Sequence, residues 1–462
     1  MKPVKIAFIS LVGVLCITPL VTFTIFGTKE KEMNSESAVK LEDFSFDNWV
    51  DGKFQASFDE WWSTHFPGRS GLVSAYNSIH YEIESSKVLA AIVDFLSGNL
   101  FSNKVDRTKE YPAYYFAEDN KYAEMNKVVA QQNLSIQPSF HGNNGIIVGK
   151  SGYLYSKEYI DEFYGYSPLN AVDVAGINKT ITEIKYIQTE LKKMGTEVIF
   201  VISPNKAAEM SEFVPEYYKN ANTPLENYKR HVEYMREGFL ANGINYVDSS
   251  QVFKDVGLLN TFPKTGIHWN FVAASEVASS VLKKYETISN KESRQLNVKW
   301  VDQSKNPYNI GNAEQDIYDI LYGSIPDYKK DSIVDDYYYT PILETTKKDC
   351  KKLNVLMQGD SFLNPFRDCL VDHEIADLSY MYYYGGTLFE QHPEQDVWKN
   401  GPTAWESLLQ NKDLLILEAN EQLIRSKHYE GSSWPESRDQ DKYCHNSVYD
   451  SLYAYLKGKE GK

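Results

Sequence analysis

Val198-Ile199-Phe200-Val201-Ile202 is an unbroken apolar run, closed at once by Ser203-Pro204-Asn205. A strand with one wet face alternates apolar and polar residues, so a run with no polar position predicts burial on both faces. Upstream, residues 178–194 carry apolar side chains at helical spacing and stop at Gly195, a residue suited to a helix end. Downstream, 225–241 repeats the helical pattern and stops at Gly243, and 244–247 is the next strand. Residues 270–285 are helical again, and apolar strands follow at 355–357, 378–382 and 414–417. Strands alternating with helices predict an α/β domain of three layers, α/β/α, around a mostly parallel sheet. The segment 146–155 alternates apolar residues around two glycines, which predicts a hairpin opening this domain.

The rest of the chain is organised around that domain, assigned to 143–430. Residues 286–349, rich in Asn, Asp and Tyr, interrupt the rhythm and read as an insertion; 431–462 reads as a C-terminal tail. Ahead of the domain, 46–142 combines a helical pattern at 54–90 with a polar surface stretch at 103–140. Residues 28–45 are a polar linker. Ile6 to Phe26 holds no charge over a length of roughly 31 Å as a helix, enough for a bilayer core of about 30 Å. Lys2 and Lys5 precede this run, and no small-x-small cleavage site follows it. We read 1–27 as a retained transmembrane anchor with its N-terminus cytoplasmic and the remaining chain on the extracytoplasmic face.

Composition excludes some functions. Of 462 residues, 42% are hydrophobic and 24% charged, so general disorder is ruled out. The net charge of −15 makes nucleic acid a poor partner, because neutralising phosphates dominates that affinity. No Cys or His spacing fits a zinc site, and no phosphate loop or dinucleotide fingerprint is present. Beyond the anchor lie Cys350, Cys369 and Cys444, an odd count that allows one bridge at most and leaves the pair open. The 34 Tyr and 8 Trp fit either a compositional habit or aromatic platforms for a sugar.

In an open parallel sheet, ligands bind beyond the carboxyl ends of the strands. Four polar segments follow apolar runs there: Ser203-Pro204-Asn205-Lys206, Asp248, Gln358-Gly359-Asp360-Ser361-Phe362, and Glu418-Ala419-Asn420-Glu421. A glycine just before Ser361 permits a tight turn that presents the hydroxyl at the mouth of the sheet. A helix starting behind it would aim N–H groups at an oxyanion; the plain alternative is an ordinary N-cap. Such a serine needs a base. His268 is the candidate: it follows the Pro263/Gly266 loop, precedes a helix, and has Trp269 beside it to fix its ring.

Gly359-Asp360-Ser361-Phe362, preceded in the chain by His268-Trp269, resembles the SGNH hydrolase-like acyltransferases of the alginate O-acetyltransferase (AlgX/AlgJ-like) group. In that group the His block precedes the serine block, as here. The resemblance runs from about residue 49 to 420 and takes in Phe66-Pro67-Gly68-Arg69, Gly149-Lys150-Ser151-Gly152-Tyr153-Leu154 and Pro204-Asn205-Lys206. It implies an SGNH-like three-layer fold and an enzyme that moves acetyl groups onto exported polysaccharide. Ser361 would be the nucleophile and His268 the base, with no cofactor. The implied partners are a membrane-bound O-acyltransferase-type protein as acetyl donor and the polysaccharide as acceptor.

One position departs from the pattern. Many members carry Asp two residues before the catalytic His, and here that residue is Gly266. Another acid orients the imidazole, with Asp248 the candidate, or the site is a Ser–His dyad, or catalysis has been lost. Gly385 (or Gly386) and Asn420 are positional candidates for the oxyanion hole; Lys206, Arg367 and Trp269 are candidates for binding substrate. Two other functions stay open: a carbohydrate acetylesterase of the same fold, and a silent polysaccharide-binding or scaffold subunit of an exopolysaccharide complex. The acidic chain would repel a polyanion, which favours a neutral, cellulose-like glycan as acceptor.

Overall fold

Ile146–Val148 and Leu154–Ser156 pair antiparallel as β1 and β2, the predicted hairpin. The all-apolar run becomes β3 (Glu197–Ser203), buried at every position. It is followed by β4 (Tyr246–Asp248), β5 (Gln295–Asp302), β6 (Tyr339–Thr346), β7 (Leu353–Gly359), β8 (Ala376–Tyr383), β9 (Gly386–Thr387) and β10 (Leu414–Asn420). The helices are α1 (Ala123–Ala130), α2 (Lys157–Tyr164), α3 (Val174–Lys193), α4 (Lys206–Glu209), α5 (Glu216–Ala221), α6 (His231–Asn242), α7 (Ser249–Val256), α8 (Phe271–Ser289), α9 (Leu363–Val371), α10 (Ala404–Leu409) and α11 (His445–Lys459).

This computed structural model describes residues 106–132, 145–167, 173–302, 339–383, 386–387, 404–424 and 445–459. All of them fall in one of the two compact units into which the chain divides. The anchor at 1–27, the linker at 28–45 and the helical pattern at 54–90 lie outside the described residues. Among the described residues, no helix is long and apolar enough to cross a membrane.

The main sheet has the order β4-β3-β10-β7-β8-β9. Its strands run parallel from β4 to β8, and β9 alone is antiparallel. Side chains on a strand point alternately to opposite faces, and the two faces carry separate cores. Ile199, Val201, Val355, Met357, Leu414 and Ile416 pack with Val272, Val277 and Val281 of α8. Val198, Phe200, Ile202, Leu415 and Leu417 pack on the other face with Ile177 and Ile184 of α3, Val232 and Phe239 of α6, and Leu452 of α11. The three layers are an SGNH-like α/β arrangement.

Two local expectations are corrected. The helix expected over 225–241 begins only at His231. Leu225 donates to the Gly165 carbonyl at 2.8 Å, Asn227 has a φ of 53°, and the Glu233 carboxylate accepts the Arg230 N–H at 2.9 Å. A residue with left-handed backbone breaks a helix, and the Glu233 bond caps its restart. The stretch 103–140, read as surface, instead contributes core: Tyr122, Met125, Asn126 and Val129 are buried. Asn126 Nδ2 donates to the carbonyls of Tyr115 (2.8 Å) and Gly257 (2.7 Å), which fastens α1 to the end of α7.

Within 286–349, β5 and β6 form an antiparallel ribbon whose Leu296, Val298 and Tyr339 bury beside α8. Within 431–462, α11 places Leu452 and Leu456 in the core shared with α3. Leu452→Ala should therefore cost about 2–5 kcal/mol, the usual loss for a deleted core leucine. Urea unfolding followed by circular dichroism measures this, and an unchanged midpoint would mean that α11 lies outside the cooperative core.

Candidate active site

β4 flanks β3 on one side, and β10 then β7 follow on the other. Strand order therefore reverses around β3, and in open parallel sheets ligands bind at the carboxyl ends beside such a reversal. Gly359 ends β7, and Asp360 and Ser361 turn the chain into α9. A Cβ on Gly359 would collide with Glu418 Oε2 and with Leu363 Cδ1, so a side chain there would force the Glu418 carboxyl or Leu363 to move. Glu418 Oε2 accepts the Asp360 N–H at 2.8 Å. The buried Asp360 carboxylate accepts from the backbone of Phe362 at 2.9 Å and of Asn420 at 2.9 Å. The serine turn is thus tied to the end of β10 in both directions.

The histidine comes from the loop before α8. Asn270 caps that helix by accepting the Ala273 N–H at 2.9 Å, and its Nδ2 donates to the Asn260 carbonyl at 2.8 Å. Trp269 is buried, and its indole N–H donates to the Phe362 carbonyl at 3.1 Å. The His268 and Trp269 rings both meet Phe362 edge-on, with centroids 4.9 and 5.7 Å away. These contacts bring His268 Nε2 to 2.6 Å from Ser361 Oγ, across 93 residues of sequence. At that distance a neutral imidazole with its proton on Nδ1 can take the hydroxyl proton.

The structure does not bring Asp248 to this pair. Both of its carboxylate oxygens accept from Arg236, at 2.7 and 2.9 Å. Arg236 also pairs with Glu421, which shares Arg230 with Glu162. Burial pushes the Glu421 carboxyl up, but Arg230 and Arg236 outweigh it and hold the group below its usual range. Asp248 serves that ionic network, which ties α6 to the ends of β4 and β10.

Asn420 is likewise committed. Its Nδ2 donates to the Pro204 carbonyl at 2.7 Å and its Oδ1 accepts the Gln422 N–H at 3.0 Å, so it laces β10 to the loop after β3. Gly385 lies outside the described residues. The N–H groups of Phe362, Leu363 and Asn364 bond to Asp360 Oδ1, the Asp360 carbonyl and the Ser361 carbonyl. Those donors at the α9 start are therefore used within the turn. Lys206 is buried rather than displayed to a substrate: Nζ donates to the carbonyls of Lys264 (2.9 Å) and Gly266 (2.6 Å). Arg367 pairs with its neighbour Asp368. Trp269 is a buried brace. Cys350 and Cys369 are separate thiols, and burial pushes Cys369 up to about 12, an inert group; Cys444 lies outside the described residues.

Sequence inspection gave no role to Glu418. Burial first, and the nearby Asp360 charge second, push its carboxyl well above the usual range, so it is neutral where an ordinary glutamate is ionised. The available signal was a glutamate directly after the apolar run 414–417, inside a strand buried on both faces.

A serine hydroxyl and an imidazole thus meet at the carboxyl edge of a parallel sheet between helical layers. Residues 146–314 match the family described as "SGNH hydrolase-like domain, acetyltransferase AlgX". The matched segment contains His268 and ends before Ser361. Among solved structures, the chain is similar to the O-acetyltransferase domain of Pseudomonas putida AlgJ, at 14% identity, 67% coverage of this chain, 99% of that one, and a TM-score of 0.43. It is also similar to Bacillus cereus PatB1 (13%, 63%, 99%, 0.38) and Pseudomonas aeruginosa AlgX (16%, 61%, 62%, 0.32). No curated protein matches the chain.

The Glu418 carboxyl gives the site a pH signature. Its folded pKa is raised, so the stability it lends is complete below its ordinary value near 4.5 and is lost as pH rises toward the folded value. Glu418→Gln retains an acceptor for the Asp360 N–H but cannot ionise. Its urea midpoint should decline less steeply than the wild type's as pH is raised above about 4.5. Parallel declines would show that Glu418 is ionised in the folded protein.

Proposed function

We propose that this chain is an extracytoplasmic O-acetyltransferase of SGNH serine type that acetylates hydroxyls of an exported polysaccharide. The observation that carries it is the 2.6 Å approach of His268 Nε2 to Ser361 Oγ. Ser361 Oγ attacks the acetyl carbonyl carbon while its proton passes to His268. The donor's leaving oxygen or sulfur takes that proton as its bond to the acetyl group breaks, which leaves acetyl-Ser361. A sugar hydroxyl then attacks the ester, loses its proton to His268, and the proton returns to the released Ser361 Oγ. No cofactor enters these steps. The match of 146–314 to an acetyltransferase family supports acetyl as the transferred group, and the acidic chain favours a neutral glycan as acceptor.

Incubation with a chromogenic acetate ester should release chromophore and leave one acetyl group on Ser361, detected by peptide mass. Ser361→Ala should abolish the adduct, and His268→Ala should slow its formation by at least about 10³-fold. Adding a neutral oligosaccharide should speed turnover and yield acetylated sugar. Turnover that ignores the sugar would identify an esterase, and an unmodified Ser361 would end the serine mechanism.

The expected anchor at 1–27 has a place in this scheme. Tethering beside a membrane-bound O-acyltransferase-type donor would replace bulk encounter by an effective concentration of about millimolar. Release of the chain by a cut after Phe26 should leave hydrolysis of the chromogenic ester unchanged. At matched extracytoplasmic levels it should sharply lower glycan acetate. Equal glycan acetate in freed and anchored forms would reduce the anchor to a targeting device.

A further inference from the structure

Lys206 is the first residue of α4 and is 1% exposed. A buried ammonium is costly unless its donors find acceptors. Nζ donates to the carbonyl of Lys264 at 2.9 Å and to that of Gly266 at 2.6 Å. The rings of Tyr153 and Tyr155 flank it, with centroids 5.8 and 5.6 Å away. Both acceptors belong to the loop that delivers His268, and Gly266 is two residues ahead of it. The loop is also pinned from β2, since the Leu154 N–H donates to the same Lys264 carbonyl at 2.8 Å. After His268, Trp269 is bonded to the serine turn and Asn270 caps α8. The bonds named after the histidine come from neutral groups, whereas ahead of it the neutral bond from β2 is joined by a charged group at the start of α4.

From this geometry we infer that Lys206 is a positioning residue for His268: its ammonium clamps the Lys264 and Gly266 carbonyls and so holds the imidazole at Ser361. This deepens the Ser–His mechanism above and rests on it. An ammonium suits the task because it has three donors and no acceptor, so it can bond two carbonyls at once. The aromatic rings offset its desolvation through their negative faces. A displacement of the imidazole by about 1 Å is enough to cost about 10²-fold in rate. The clamp lies at Gly266, the position where the resembling family often carries an acid.

The test uses the full chain with Lys206→Met, which keeps length and removes the donors, and Lys206→Gln, which keeps amide donors without charge. A fluorophosphonate reports nucleophile activation through its rate of covalent attachment to Ser361, followed by mass across about pH 5 to 9. In the wild type that rate should rise with pH through one inflection, the imidazole losing its proton. Lys206→Met should slow labelling by about 10²-fold and flatten the inflection, while Lys206→Gln should fall between the two with the inflection retained. Melting temperatures identify variants that are folded. If Lys206→Met does not fold, Lys206→Gln alone decides: slower labelling at an unchanged melting temperature supports the clamp, and a wild-type rate overturns it. Equal rates in Met and Gln variants would also overturn it, because packing without donors would then suffice. His268→Ala separates the two levels. If it labels at the wild-type rate, the Ser–His mechanism fails and takes the clamp with it. If it is impaired while Lys206→Met is not, only the clamp fails.

Discussion

One hydrogen bond sets where the candidate nucleophile stands: Glu418 Oε2 receives the Asp360 N–H at 2.8 Å. β10 is bonded to both β3 and β7 and is buried along its whole length. A carboxyl projecting from such a strand has little freedom, so it transmits the position of the sheet to the turn that carries Ser361. The return bond, Asn420 N–H to Asp360 Oδ2 at 2.9 Å, closes the link. Gly359 follows from the same constraint, because the carboxyl occupies the space a side chain would need. The turn, the start of α9 and the hydroxyl are consequences of that contact.

Much of this was legible in the sequence where a single physical signal dominated. Unbroken apolar runs cannot face water, so 198–202 and 414–417 fall in β3 and β10, two adjacent interior strands of the sheet. Helix ends marked by Gly195 and Gly243 fell where predicted, both with positive φ. The pairing of Ser361 with His268 was also accessible, because each sits at an element junction with few alternative uses. Roles that depend on distance in space were not accessible. Asp248 stands at a strand end, as an orienting acid should, but Arg236, in the second turn of α6, claims both of its oxygens. Lys206 and Trp269 have polar or aromatic groups that suit a ligand, yet both are buried and bonded to backbone. Sequence pattern specifies which face a residue occupies and leaves open whether a polar group on that face meets solvent or a carbonyl.

The ends of β3, β4 and β10 carry a second polar system built on a different principle. Arg230 and Arg236 share Glu421, with Glu162 and Asp248 completing the set. Buried charges of this kind cost several kcal/mol each to desolvate and are retained only when well paired. Their net effect on stability is small, whereas loss of one partner strands the others, at about 3–5 kcal/mol. The network therefore specifies position more than it adds stability. It fixes α6 and α2 against the sheet, and α2 in turn meets Asn205, the residue next to Lys206, through the Tyr159 carbonyl at 2.9 Å and Glu162 at 2.7 Å.

The contrast between the two systems follows from what each must border. At the ends of β3, β4 and β10, full charges are tolerated because each has an opposite charge in contact. Beside the serine turn, the buried carboxyl is instead held neutral, with burial as the larger cause and the Asp360 charge as the lesser. Acyl transfer builds negative charge on an oxygen near Ser361, and in a water-poor site a fixed anion close by would oppose that charge strongly. A Glu418 carboxyl pushed toward its neutral form supplies the acceptor that the Asp360 N–H requires without adding a full charge there. The Asp360 carboxyl accepts the backbone N–H groups of Phe362 and Asn420. The acidic residues under the candidate nucleophile can thus support it mechanically while limiting the electrostatic cost of the chemistry proposed for it.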